Sequence, residues 1–510
     1  MTKDYIIGVD CSTTAAKAIV WDKEGNPIAE GRKVMQLLTP KPGWCEQRCE
    51  EWWSATAEAI KKAVLQIDPS RIVAIGITHQ RESFVLLDKN MHPLRNGISW
   101  VDTRATSQVQ KLKETYGDRI HKITGLFPNV YTSNAKIMWV RENEPSIFEQ
   151  THKILDVYAY LAWKLTGQLI TTWASACPLG LLNISKLCWS KEVMEIIGVR
   201  EEQFPELCPP GEVVGTLTRE AASLLGLPEG VLVAGGGGDG QCAALGAGVV
   251  EEGYASLNLG TAICSEFFSP EYVIGPTFRT LCGCVPGTYI AENLIPGGTF
   301  TINWFVKEFG QNEKKLAEID NISAEEILDF LASKVKQEGP RLLMVPYWKA
   351  AAAPFWDPFA RGVIIGWSAD IERVHLYRAI MEGIAFEQKF LYDEMETSLN
   401  KKIEKIIILG GGAKSTLWRQ ILADLIGVPV FTPHTFEATC LGAAMLAAYA
   451  AGMYKTVQQA SKKMSRFKDK FYPDEKKRQF YMKIYDRVYR HLFPKIQELV
   501  DEFTKITLEL

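Results

Sequence analysis

The stretch Asp10-Cys11-Ser12-Thr13-Thr14-Ala15-Ala16-Lys17 sets an acid at the end of an apolar run and follows it with hydroxyls and an amine. Backbone N–H groups and small hydroxyls in such a turn can wrap phosphate oxygens, while the acid holds Mg2+ through water. A plain hairpin turn has the same composition, and neither a Walker loop nor a dinucleotide-binding glycine turn is present here. In Ala234-Gly235-Gly236-Gly237-Gly238-Asp239-Gly240-Gln241, four glycines suit a backbone that must lie close to a ligand. They deliver Asp239 just ahead of a helix expected to begin at Gln241. The alternative, Asp239 as a helix cap, has no need of the glycines. Ile408-Leu409 leads into Gly410-Gly411-Gly412-Ala413-Lys414-Ser415 and then the amphipathic Leu417–Leu422. That strand, glycine turn and helix can seat a flat ring or a phosphate. Gln80-Arg81-Glu82, Trp100 and Tyr131 combine donors, acceptors and aromatic faces, the mixture that polyol recognition needs. A surface ion pair with core aromatics would use the same residue types.

The elements that must position these residues read as α/β. Tyr5–Val9 and Ala18–Trp21 are expected strands around the first turn, with further strands at Ile72–Ile77 and Phe84–Leu87 and helices over 50–65 and 106–116. The pattern of strand, small polar turn and strand at 5–21 recurs loosely at 255–268, which hints at two halves of similar build with a boundary near 250. From residue 455 the chain reads as charged helix, and Tyr481, Tyr485 and Tyr489 form a stripe at i, i+4, i+8, expected to pack rather than to bind.

The 510 residues allow more than one domain, with 47% hydrophobic and 23% charged residues as in ordinary globular proteins. A net charge of −3 supplies no basic field for nucleic acid or anionic membrane. The opening residues lack a signal-peptide pattern, no apolar run reaches spanning length, and the expected location is cytoplasmic. Eleven cysteines without zinc-site spacing are expected as reduced, buried residues.

The four regions, in this order, resemble the FGGY family of carbohydrate kinases from Ile6 to about Ala450. Tyr131-Thr132-Ser133-Asn134-Ala135-Lys136-Ile137-Met138-Trp139-Val140-Arg141-Glu142-Asn143 is similar to the family's first signature. Gly410 to Val430, continued by Glu437 to Ala444, is similar to the second. The resemblance implies two actin/hexokinase-like (ribonuclease H-like) ATPase domains with an interdomain cleft. Residues 1–250 would form the sugar and Mg2+/phosphate side and 251–510 the adenine-nucleotide side with a helical tail. It implies ATP and Mg2+ as cofactors, with Asp10 on the metal, and Thr13, Thr14, Lys17, Gly260 and Thr261 at the phosphates. Gly298, Gly411, Gly412, Ala413 and Ser415 would serve the nucleotide. Asp239 resembles the general base, and Arg81, Glu82, Trp100, Tyr131, Asp239 and Gln241 would contact the acceptor. A homodimer is a further expectation.

On the acceptor itself the residues divide. Gln80-Arg81-Glu82, Trp100, Tyr131 and Ala353–Gly362 resemble glycerol kinase, whereas xylulose kinases usually carry Met-His where Arg81-Glu82 stand. Glycerol kinases usually show Asp-Gln-Gln at the base, and this chain has Asp239-Gly240-Gln241. Arg-Glu with Asp-x-Gln also resembles the autoinducer-2 kinase. The expected reaction is ATP-dependent phosphorylation of a small sugar or polyol. A non-catalytic nucleotide- or sugar-binding regulator is the alternative from another class.

Overall fold

In the computed structural model, which describes residues 4–335 and 340–508, apolar runs near the N-terminus become the centre of a six-stranded sheet. Its order is Val213–Thr216, Leu232–Gly238, Ile72–His79, Tyr5–Cys11, Ala15–Trp21, Pro27–Val34. From Tyr5–Cys11 outward, two antiparallel pairings lie on one side, and two parallel pairings and then an antiparallel one on the other. The second sheet, seven-stranded, runs Arg279–Cys282, Tyr289–Ile295, Ile263–Ser269, Tyr254–Leu259, Lys405–Leu409, Val430–Pro433, Phe467–Phe471. Outward from Tyr254–Leu259 the orientations repeat those of the first sheet, with Arg279–Cys282 added at one edge. Ile6, Ile7, Val9, Leu257 and Ile406 to Ile408 are fully buried, so the central strands read as continuous apolar runs.

Between the sheets lie two helices rich in small residues, Asp239–Gly246 and Ala438–Ala450. The first continues from Leu232–Gly238. The second follows the second sheet's Val430–Pro433, yet packs on the first sheet's Tyr5–Cys11 and Ile72–His79. Their approach is close: a Cβ on Gly442 would stand 2.0 Å from the Cys242 carbonyl oxygen. Any side chain there would force the two helices apart.

The structure corrects the helix start after the glycine run and adds a reason for the glycines. The helix begins at Asp239 rather than Gln241, because Gly238 is its extended N-cap. The glycines also meet a packing demand that a turn beside a ligand does not explain. They lie inside a buried strand, where a Cβ on Gly236 would meet the Ile77 carbonyl oxygen at 2.0 Å and the Tyr158 ring at 2.7 Å.

The tyrosine stripe packs. Tyr481, Tyr485 and Tyr489 are buried, and their hydroxyls donate to Glu382, Asp393 and Glu387 of the helix Arg373–Leu399. All eleven cysteines are free thiols, seven of them buried: Cys11, Cys49, Cys177, Cys242, Cys282, Cys284 and Cys440. No helix among the described residues is long and apolar enough to cross a membrane.

Candidate active site

Asp10 closes the strand Tyr5–Cys11 at the cleft between the sheets. Its Oδ1 is buried without a hydrogen-bond partner. Burial, then the charges of Asp239 and Glu437, push its carboxyl up to about 8. A desolvated acid beside two other acids is suited to a cation, and the donor set fits Mg2+. Thr13 and Thr14 form the following turn, where the Thr13 hydroxyl accepts from Trp100 Nε1 at 2.8 Å. Lys17 reaches Glu437 at 2.7 Å, linking the first sheet to the loop before Ala438–Ala450. Burial opposes its charge, but the hydrogen bond and charge of Glu437 together with the charge of Glu30 outweigh it and raise the ammonium pKa. To reach a phosphate, Lys17 must exchange this partner.

The turns expected to serve the second phosphate contact and the nucleotide, Gly260-Thr261 and Gly410–Ser415, meet at the ends of two parallel strands, Tyr254–Leu259 and Lys405–Leu409. Gly260 and Thr261 lie against Gly298, whose own helix Gly298–Phe309 is tied down by Thr299 N–H donating to the Gly260 carbonyl at 2.8 Å. Across from them Gly410 is left-handed (φ 80°), and a Cβ there would stand 2.4 Å from Asn258 Oδ1. A Cβ on Gly411 would meet nothing, so that residue borders open space. Ala413 is buried. The Ser415 hydroxyl caps the helix Thr416–Ile426 by accepting from Trp418 N–H at 3.0 Å, which leaves it a supporting position rather than an open one.

On the acceptor side, Arg81 and Glu82 do not pair with one another. Arg81 Nε meets Asp239 at 2.8 Å and its Nη1 meets Glu292 at 2.6 Å, while Glu82 is bonded by Arg279. Glu292 and Arg279 belong to the second sheet, so the predicted acceptor residues are joined across the cleft. Glu82 holds φ 55°, a strained backbone for a non-glycine residue and of a kind that clusters at ligand sites. Asp239 also accepts from Gly240 N–H at 2.8 Å, and its side chain is 42% exposed, open to the cleft. Trp100 and Tyr131 lie with ring centroids 5.9 Å apart. Gln241 differs from the expectation of an acceptor contact: it is buried, its amide donating to the Ala174 carbonyl at 2.8 Å.

Several residues of the site were not anticipated. Arg279, Glu292 and Glu266 come from separate strands, and Glu437 from a loop. Their sequence signal was a lone charge within an apolar strand, as in Tyr289–Ile295 and Ile263–Ser269. Lys136 is the other. Fully buried, its ammonium donates to the backbone carbonyls of Ser99, Trp100 and Tyr131 at 3.0, 2.8 and 2.9 Å. It thereby fixes both aromatic loops, although burial lowers its pKa to about 7.

Comparison with known proteins decides the family. The model of the FGGY family of carbohydrate kinases, N-terminal domain, matches residues 5–246, and that of the C-terminal domain matches 255–451. The chain belongs to the FGGY family of carbohydrate kinases. It is 34% identical over 466 residues to a glycerol kinase of Thermococcus gammatolerans, covering 89% of this chain and 91% of that one. It is 30% identical to a xylulose kinase of Staphylococcus epidermidis, covering 99% of this chain and all of that one. Among solved structures it is similar to a ligand-bound xylulose kinase from Lactobacillus acidophilus, with TM-score 0.89 and 26% identity over 98% of this chain and 99% of that one. The protein is therefore a carbohydrate kinase, with the two-domain actin- and hexokinase-like fold of these relatives.

Proposed function

We propose that this FGGY kinase transfers the γ-phosphoryl group of ATP to a hydroxyl of a small sugar or polyol, with Asp239 as general base. The observation that carries this reading is Asp239 itself: a half-open carboxylate at a helix start, held by Arg81 and facing the cleft that also contains Asp10. Asp239 takes the acceptor proton as the new O–P bond forms and the bond to ADP breaks. Arg81 and Glu82 donate to and accept from neighbouring hydroxyls, while Trp100 and Tyr131 cover C–H surface. The turns at Asp10–Lys17, Gly260-Thr261 and Gly410–Ser415 hold the nucleotide. Asp10, through its unpaired Oδ1, would hold Mg2+, which when bound neutralises phosphate charge.

Positioning and charge stabilisation do most of the work in phosphoryl transfer, and a placed base adds about 10²- to 10⁴-fold. A coupled ADP-release screen tests the reading, with glycerol, dihydroxyacetone, erythritol, xylulose, ribulose and dihydroxypentanedione as acceptors. ADP release should be stimulated well above the ATP-only rate by at least one of them. Nucleotide binding without stimulation by any sugar or polyol would favour the non-catalytic regulator.

A further inference from the structure

Across the second sheet, Arg279, Glu292, Glu266 and Ser256 stand directly opposite one another on four neighbouring strands. Residues paired in this way share one face of the sheet. Glu292 and Glu266 are buried, and Arg279 is 24% exposed. Arg279 Nε meets Glu292 at 2.6 Å, and the Ser256 hydroxyl donates to Glu266. A charged row inside a sheet is costly to desolvate and adds little stability over a well-packed apolar one. This row faces the acceptor residues, since Glu292 also holds Arg81 and Arg279 also holds Glu82.

Gly240 makes the approach feasible. A Cβ at that position would stand 2.9 Å from both Glu266 Oε1 and Glu292 Oε2. The residue after the base, where this chain departs from the Asp-Gln-Gln of glycerol kinases, is thus small where the charged row needs the space.

We propose that Arg279, Glu292 and Glu266 form a second part of the acceptor site, and that the acceptor is a neutral polyhydroxylated chain of four or five carbons rather than glycerol. The inference rests on the kinase reading above and narrows it. Glycerol has three hydroxyls: one meets Asp239, and Arg81 with Glu82 satisfies the other two. Arg279 keeps Glu82 and Glu292 as partners with either acceptor, and a longer chain brings further hydroxyls to the exposed edge of its guanidinium that glycerol lacks. The cluster also selects for neutral acceptors. Arg81 and Arg279 give two positive charges, against three negative from Asp239, Glu82 and Glu292. Burial, then the neighbouring Glu292 charge, pushes Glu266 up to about 8, which favours its uncharged form. Glu292, against the effect of burial, is held down to about 2 by Arg279 and Arg81. A metal ion on Cys264, Glu266 and Glu292 would have to displace both guanidiniums, so the row is read as a hydroxyl site.

The test compares kcat/KM for glycerol, erythritol, xylitol, xylulose, ribulose and gluconate in the wild type and in Arg279→Met, Arg279→Lys and Glu292→Gln. The wild type should favour a four- or five-carbon neutral acceptor over glycerol by at least 100-fold and reject gluconate. Arg279→Met should lower that preference at least 10-fold, chiefly through the acceptor KM. Arg279→Lys, which keeps the charge without the fork, should fall between, and the KM for ATP should stay within 3-fold in all variants that melt cooperatively. Robust turnover of glycerol above every longer acceptor would overturn this inference and leave the kinase reading standing. An equal loss for every acceptor in Arg279→Lys and Glu292→Gln would also overturn it. No turnover with any acceptor would overturn both.

Discussion

Replacing Lys136 by Met separates a positioning role from a purely structural one. Met matches the length of the lysine stem but carries no donor, so the carbonyls of Ser99, Trp100 and Tyr131 lose their shared partner. Hydrogen bonds from a charged group are worth about 1.5–3 kcal/mol each, and three of them about 4.5–9 kcal/mol. Burial works in the opposite sense. It brings the amine from 10.5 to about 7, and at 1.36 kcal/mol per unit this opposes the charge by about 5 kcal/mol. The variant recovers that amount, which leaves a net destabilisation of about 0–4 kcal/mol. The functional loss is larger in proportion, because Trp100 and Tyr131 are then free to move, and a 1 Å misplacement can cost on the order of 100-fold. Steady-state kinetics should show the acceptor KM raised about 10- to 100-fold, with the ATP KM nearly unchanged. An unaltered acceptor KM in a well-folded Lys136→Met enzyme would refute the reasoning.

Two further perturbations probe the frame around the site. Gly442→Val puts a side chain where the Cys242 carbonyl oxygen would be 2.0 Å from Cβ. Overpacking there should cost about 3 kcal/mol or more in chemical denaturation, and unchanged stability would contradict the close helix pair. Burial pushes Glu387 up to about 7, against the pull of the Tyr489 and Tyr347 hydroxyls. The folded state therefore holds this proton more tightly than the unfolded chain. Its contribution is fully present below the ordinary value of 4.5 and is lost as pH rises through 7, about 3 kcal/mol in all. Glu387→Gln should flatten the fall in melting temperature between about pH 5 and 8, and parallel melting profiles would exclude Glu387 as its source.

Much of the fold was legible because its strands are local. The run Tyr5–Val9, the polar turn and Ala18–Trp21 announce a hairpin, and the structure extends both strands by a few residues. Phe84–Leu87 is a strand with the expected bounds, and the tyrosine stripe packs as its spacing implies. The glycines before Asp239 show where local reading ends. For Gly236 the reason is the Tyr158 ring and the Ile77 carbonyl, contacts distant in sequence that no turn rule contains. The crossing of Ala438–Ala450 onto the first sheet is equally non-local. At the site, Asp10, Arg81, Glu82 and Asp239 stand beside short motifs and could be named from them. Arg279, Glu292 and Glu266 could not, because their meaning lies in a register shared by separate strands. The sequence showed each only as a charge in an apolar setting. Gln241 and Ser415 lie at motif positions, yet the Gln241 amide N–H donates to the Ala174 carbonyl and the Ser415 hydroxyl caps its own helix.

The central claim is that Asp239 takes the proton of an acceptor hydroxyl while ATP occupies the same cleft. Single-turnover transfer from ATP to the best acceptor, compared between the wild type and Asp239→Asn, tests it most directly. Asn keeps the size of the side chain and can still accept from Gly240 N–H, but it cannot take the proton. The account predicts a fall of about 10²- to 10⁴-fold in the transfer rate, with ATP affinity nearly unchanged. Transfer at close to the wild-type rate in Asp239→Asn would contradict it.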